Sequence, residues 1–122
     1  ALAGHLTELE HLAGTPARLD LIQLGLGDDG HTASLVPGDP VLEATTDVAV
    51  SAEYKGTRRW TMTTPLINRA SERLFFVTGA EKDEALHRLA TGDPGIPGSL
   101  ITDDQTFLAT DRQIPGFSPT PW

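Results

Sequence analysis

Two short apolar stretches, Leu19–Leu24 (LDLIQL) and Leu74–Thr78 (LFFVT), each run directly into a glycine-bearing loop followed by helix-compatible sequence. This arrangement constrains the fold more than any other feature. A strand that ends in a glycine loop and a helix is half of a βα unit, and units of that kind stack as a mostly parallel sheet. The first stretch is expected to be a strand buried on both faces. Ligands in such folds bind beyond the carboxyl ends of the strands. The two loops, Gly25–His31 and Gly79–Lys82, are therefore the first places to look for chemistry.

The rest of the chain fits an alternating order. Leu2, Leu6, Leu9 and Ala13 recur at helical spacing, and Gly14 and Pro16 end that helix. After the first loop, Thr32–Leu35 is expected to form a short helix closed by Pro37, Gly38 and Pro40. Val48–Ser51 and Trp60–Thr63 read as further strands. Pro65–Ala70 reads as a helical turn with Pro65 in first place. A helix spans about Lys82–Ala90, and Thr106–Ala109 forms a last, edge strand. The expected fold class is α/β, with a mostly parallel sheet and helices on both faces. Residues 1–113 form the domain part, and 114–122, with three prolines, an irregular tail.

Charge and composition limit the partners. Nine Lys and Arg face 17 Asp and Glu, a net charge of -8, which argues against nucleic acid or an anionic membrane. No apolar run is long enough to span a bilayer and no signal pattern is present; the expected setting is the cytoplasm. There is no cysteine, so thiolate metal sites are excluded. His5, His11 and His87 are scattered, and Asp28, Asp29 and His31 alone are too few for a closed metal site. No metal and no cofactor are expected. The chain begins with alanine and its one methionine is Met62, so it is expected to belong to a longer protein.

The first loop, GLGDDGH, places Gly25, Gly27 and Gly30 at the GxGxxG spacing of a dinucleotide fingerprint, with Glu53 at a suitable distance downstream. Two features count against that reading. Asp28 and Asp29 would set negative charge where phosphate oxygens should lie, and Pro37 stops the following helix too early. A catalytic reading fits better. The glycines admit close backbone approach, and His31 beside an aspartate has the composition of a general base. The competing reading is a histidine that only caps its turn, with the aspartates as helix N-caps. In the second loop, Lys82 at a helix start opposes the helix dipole, which points to an anionic partner such as phosphate. The alternative there is an exposed lysine paired with Glu81 or Glu84. Of Arg58 and Arg59, alternation lets at most one face a cleft. Arg73 and Arg88 read as surface charges, and Ser34 as helix packing.

At this point the motifs resemble a known family. LDLIQLGLGDDGHTASLVP is similar to the signature of the 6-phosphogluconolactonases, a glycine loop with Asp-Gly-His followed by Ala-Ser-Leu-Phe-Pro. Arg59-Trp-Thr-Met-Thr, Asn68-Arg-Ala, the strand Leu74–Thr78 and Gly79-Ala-Glu-Lys82 follow in family order. The resemblance covers about Asp20–Ala90 and extends loosely to Leu108. It implies metal-free hydrolysis of 6-phospho-D-glucono-1,5-lactone to 6-phosphogluconate in the oxidative pentose phosphate pathway. His31 would activate water, Asp29 would orient His31, and the Gly27 and Gly30 region would border the substrate and supply N–H donors to the oxyanion. Arg59 and Lys82 would bind substrate, with Lys82 on the phosphate. Two other readings remain: a sugar-phosphate deaminase or isomerase of the same superfamily, disfavoured because those carry Asn-Gly-His, and an inactive fragment that keeps the fold. Val36 stands where the family has phenylalanine. The resemblance also implies a Rossmann-like three-layer plan, and because the family is about twice this length, the sheet is expected to be incomplete in this chain and an N-terminal half to be required.

Overall fold

The computed structural model describes residues 2–118. Helix α1 spans Leu2–Ala13. It ends where Gly14, at φ +91°, takes the left-handed conformation that a helix stop favours, with its N–H donating 2.9 Å to the Glu10 carbonyl. Strand β1 (Leu21–Leu24) follows, then the first glycine loop. Strands β2 (Val48–Val50) and β3 (Trp60–Met62) come next, then helix α2 (Thr64–Arg69), strand β4 (Glu72–Val77), helix α3 (Asp83–Ala90) and strand β5 (Thr106–Thr110). Residues 114–118 carry no helix or strand; residues 119–122 of the expected tail lie outside the described residues.

The expected α/β architecture with a parallel sheet is observed. β4 is central, parallel to β1 on one side and to β5 on the other, in the order β1-β4-β5. β2 and β3 do not join it. They pair antiparallel as a separate hairpin, Val48 opposite Met62 and Val50 opposite Trp60. Pro65 stands at the second helical position of α2, behind Thr63 as N-cap and Thr64.

Side-chain alternation divides the parallel sheet into two unlike faces. Ile22, Leu24, Phe75 and Val77 point into a core shared with Ile67 of α2, Ala85 and Leu86 of α3, and Leu35. The other face carries Leu21, Phe76 and Phe107, which are 58%, 53% and 48% exposed. β1 is thus not buried on both faces as its composition suggests. Its outward positions, Leu21 and Gln23, lie in register with Glu72 and Leu74 on the open side of the sheet.

Arg73 corrects a second expectation. It is not a surface charge but only 2% exposed, on the core side of β4. Its Nη1 donates to the carbonyls of Ile67, Asn68 and Ala70 at 3.0, 3.2 and 2.7 Å, its Nη2 to Asp104 O at 2.5 Å and its Nε to Thr106 Oγ1 at 2.8 Å. A helix leaves its last carbonyls without internal partners and carries partial negative charge at that end. The guanidinium fork satisfies both demands at the end of α2 and ties that end to the start of β5. Arg88 does lie near the surface, paired to Asp93 at 2.8 Å.

Candidate active site

β1 and β4 are parallel neighbours, so their carboxyl ends deliver the two glycine loops side by side. The first loop is held by its own backbone. Gly27 N–H donates 2.8 Å to His31 O, Gly30 N–H 2.9 Å to Gly27 O, and Thr32 Oγ1 2.8 Å to Gly25 O. No helix begins after it. Thr32 and Leu35 close a tight turn by mutual N–H···O bonds, with Ala33 at φ +50°. Ala33 in the left-handed region is incompatible with a right-handed helix here, and Thr32 Oγ1 ties the turn back to Gly25. No helix N-terminus therefore stands at His31, and Ser34, expected in helix packing, lies in this turn with its N–H on Thr61 Oγ1 at 3.0 Å.

Two glycines make the loop possible through the space they leave. A Cβ on Gly27 would overlap the His31 ring, and one on Gly30, at φ +86°, would overlap Ile96. Gly30 O also accepts 3.1 Å from Gly98 N–H, so the connection between α3 and β5 braces the loop from outside. Both glycine N–H groups expected as oxyanion donors are engaged within the loop. Gly27 and Gly30 shape the site in this structure and do not present donors to it.

His31 and Asp29 form a close pair. Asp29 Oδ1 accepts from His31 Nδ1 at 2.5 Å and from the His31 N–H at 3.1 Å. Its Oδ2 accepts 3.1 Å from the Tyr54 hydroxyl, 25 residues away in sequence. Burial pushes the Asp29 carboxyl up, but the bonds from the His31 ring and N–H, attraction to the imidazole and the Tyr54 bond together hold it below the usual carboxylate value. The side chains of His31 and Asp29 are 32% and 38% exposed, so the imidazole is anchored at Nδ1 and remains reachable from solvent. With Nδ1–H given to the carboxylate, Nε2 is the ring nitrogen left to accept a proton.

The second loop brings its lysine to the first. Gly79, at φ +105°, turns the chain out of β4, its N–H on Asp111 Oδ1 at 3.0 Å, and a 3-10 turn over Ala80–Lys82 leads into α3. Lys82 Nζ then reaches Asp28 Oδ1 at 2.8 Å. Its partner is thus neither Glu81 nor Glu84 but the aspartate beside the His31 pair.

The structure gathers Asp28, Asp29, His31 and Lys82 into one neighbourhood and adds Tyr54. It does not link Arg59 to them. The Arg59 backbone is fixed to Ser51, with N–H to Ser51 Oγ at 3.0 Å, while its exposed guanidinium makes no hydrogen bond or ion pair among the described residues. Arg58 is tied by Nε to Ser51 O at 3.3 Å. Tyr54 escaped the sequence reading because its partner lies in another loop; the visible signal was the Lys55-Gly56 pair between two strand-like runs, which marks a tight hairpin. Among the described residues, no group of three or more His, Asp or Glu could hold a metal ion. A cavity of about 1280 Å³ lies along β5 between Leu89, Ile101 and Phe117. It is lined by none of Asp28, Asp29, His31, Tyr54 or Lys82, the polar cluster that makes the end of β1 the candidate site.

Residues 1–109 match the family described as glucosamine-6-phosphate isomerases/6-phosphogluconolactonase. A 6-phosphogluconolactonase of Synechocystis is 50% identical over 74 residues, which cover 61% of this chain and 31% of the relative. One from Nostoc is 44% identical over 93 residues, 74% of this chain and 39% of the relative. Among solved structures, the 6-phosphogluconolactonase from Trypanosoma cruzi superposes with a TM-score of 0.72 at 27% identity, covering 88% of this chain and 48% of that one. The chain spans about a third of the length of these curated relatives. Sequence match and shared fold agree: the chain belongs to the glucosamine-6-phosphate isomerase/6-phosphogluconolactonase family.

Proposed function

We propose that this chain carries the general-base portion of a 6-phosphogluconolactonase, which hydrolyses 6-phospho-D-glucono-1,5-lactone to 6-phosphogluconate in the oxidative pentose phosphate pathway. The observation that carries the reading is the His31–Asp29 pair at the end of β1, with the Lys82 ammonium brought to its edge by Asp28. His31 Nε2 takes a proton from water, and the resulting hydroxide adds to the lactone carbonyl carbon. The tetrahedral intermediate collapses with loss of the ring C–O bond, and the imidazolium returns its proton to the departing ring oxygen. Asp29 stabilises the imidazolium and keeps its ring oriented. Lys82 binds the phosphate as a point charge. Arg59, exposed and without an ion pair among the described residues, is the second cation available to the substrate, while Gly27 and Gly30 shape the loop that borders it.

The names of the relatives above favour the lactonase over the isomerase chemistry in the same family. The domain part is residues 1–113, and an N-terminal half of the same protein is required to complete the substrate contacts. The setting is the cytoplasm; no helix among the described residues is long and apolar enough to cross a membrane. The test is His31→Ala in the form of the polypeptide that turns over lactone. Expected is a loss of roughly 10²–10⁴-fold in kcat, the range of a general base, with an unchanged far-UV circular dichroism spectrum. Undiminished turnover would remove His31 from the mechanism.

A further inference from the structure

Tyr54 lies in none of the motifs that carry the family resemblance, yet its hydroxyl is the one described partner of Asp29 Oδ2, at 3.1 Å. A carboxylate only accepts, so the phenol must be the donor. The residue is delivered by a two-residue hairpin. Tyr54 N–H donates 2.9 Å to Thr57 O and Thr57 N–H donates 3.1 Å to Tyr54 O, around Lys55 at φ +51° and Gly56 at φ +79°. Two successive positive φ angles are the mark of the primed turn that suits the twist of paired strands. Lys55 Nζ lies 5.4 Å from the centre of the Tyr54 ring, where a cation favours the ring electrostatically. The Tyr54 and His31 rings stand 6.0 Å apart and tilted by 59°, so the phenol flanks the imidazole without stacking on it.

We propose that Tyr54 is a positioning residue that acts on His31 through Asp29. The two carboxylate oxygens divide their work: Oδ2 is held by the hairpin, which leaves Oδ1 turned toward Nδ1 and the ring proton assigned to that nitrogen. Without the phenol, Asp29 keeps only bonds from its close sequence neighbour His31, and its carboxylate is free to rotate about the side-chain bond to the ring. The hairpin between β2 and β3, which stands outside the parallel sheet, thereby becomes part of the apparatus that prepares the base. This inference rests on the general-base reading of His31 for its kinetic consequence but not for its structural one.

Tyr54→Phe removes the hydroxyl and keeps the ring. In the polypeptide that turns over, kcat is expected to fall roughly five- to twentyfold with KM changed by less than about twofold, as fits the loss of one hydrogen bond to a charged group. In an Asp29→Ala background the same substitution is expected to have no further effect, because Tyr54 acts only through that carboxylate. The ¹⁵N shifts of the His31 ring, read in the folded protein without substrate, are expected to move from an Nδ1–H pattern toward a mixture of tautomers. Equal losses from Tyr54→Phe in both backgrounds, or ring shifts that do not respond to it, would overturn the proposal. If His31→Ala leaves hydrolysis intact the base reading fails, and the nitrogen shifts still decide whether Tyr54 holds the pair.

Discussion

Lys82 Nζ and Asp28 Oδ1 stand 2.8 Å apart, joined across 54 residues of sequence by the side-by-side ends of β1 and β4. The ion pair keeps the lysine directed at the loop that carries His31. It also means that an anionic group arriving at Lys82 meets a carboxylate already there.

The two partners should therefore respond in opposite directions. Lys82→Ala is expected to raise KM for the phosphorylated lactone about tenfold while hardly changing turnover of an unphosphorylated one. Asp28→Asn, which removes the competing anion, is expected to lower KM for the phosphorylated lactone by roughly twofold to fivefold. The pair is partly exposed and screened, so both effects should shrink as ionic strength rises. Equal effects of Lys82→Ala on the two lactones would refute a phosphate role.

Gly27→Ala offers a test of the loop's geometry apart from its charge. The backbone at Gly27 carries no positive φ, and the obstacle is the His31 ring itself. The substitution is expected to cost little stability, about 1 kcal/mol, yet to reduce kcat by roughly 10²-fold through displacement of the imidazole. Steady-state kinetics and urea denaturation on the same variant separate the two.

The Asp29 interactions predict a pH signature. Its carboxyl is held below the usual value in the folded protein, so the unfolded chain takes up the proton first as pH falls. The stabilisation is fully present above the unfolded carboxylate value of about 3.9 and disappears as pH drops through the lower folded value. Asp29→Asn is thus expected to be less stable than the parent at pH 6–7, with the gap closing toward pH 2–3. Because the carboxylate is 38% exposed, the gap should be small, about 0.5 kcal/mol after screening. Urea midpoints of both proteins across pH 2–7 would show it; a gap that widens in acid contradicts the assignment.

Arg73 is expected to be the most costly of the substitutions considered. Arg73→Ala leaves the carbonyls at the end of α2 buried and unpartnered, for an expected loss of about 3–5 kcal/mol. Lysine carries the charge but cannot present a planar fork to these acceptors, so Arg73→Lys should recover less than half. Denaturant unfolding is the measurement.

What the sequence made legible was local. The strand-loop order, the Asp29–His31 spacing and Lys82 in the second loop could be read because each depends on neighbours a few residues apart. Thr32–Leu35 reads as a helix because Thr32 suits an N-cap and Ala33 a helix interior, whereas Ala33 stands at φ +50° and Thr32 ties the turn to Gly25, seven residues back. Arg73 looked like a surface charge because its acceptors are backbone carbonyls, which no side-chain pattern displays. Tyr54 depended on the register of a hairpin and its approach to a different loop. The openness of one sheet face could not be read from β1, since Leu21 and Ile22 are alike in composition and differ only in the direction the pleat assigns them.

Gly30 and Ile96 meet so closely that they share one parcel of space, although 66 positions separate them along the chain. A side chain added at Gly30 would collide with Ile96 and would also have to adopt φ +86°, so trimming Ile96 alone would not accommodate one. The shape of the loop that carries His31 is thus set partly from outside it, by the connector ahead of β5.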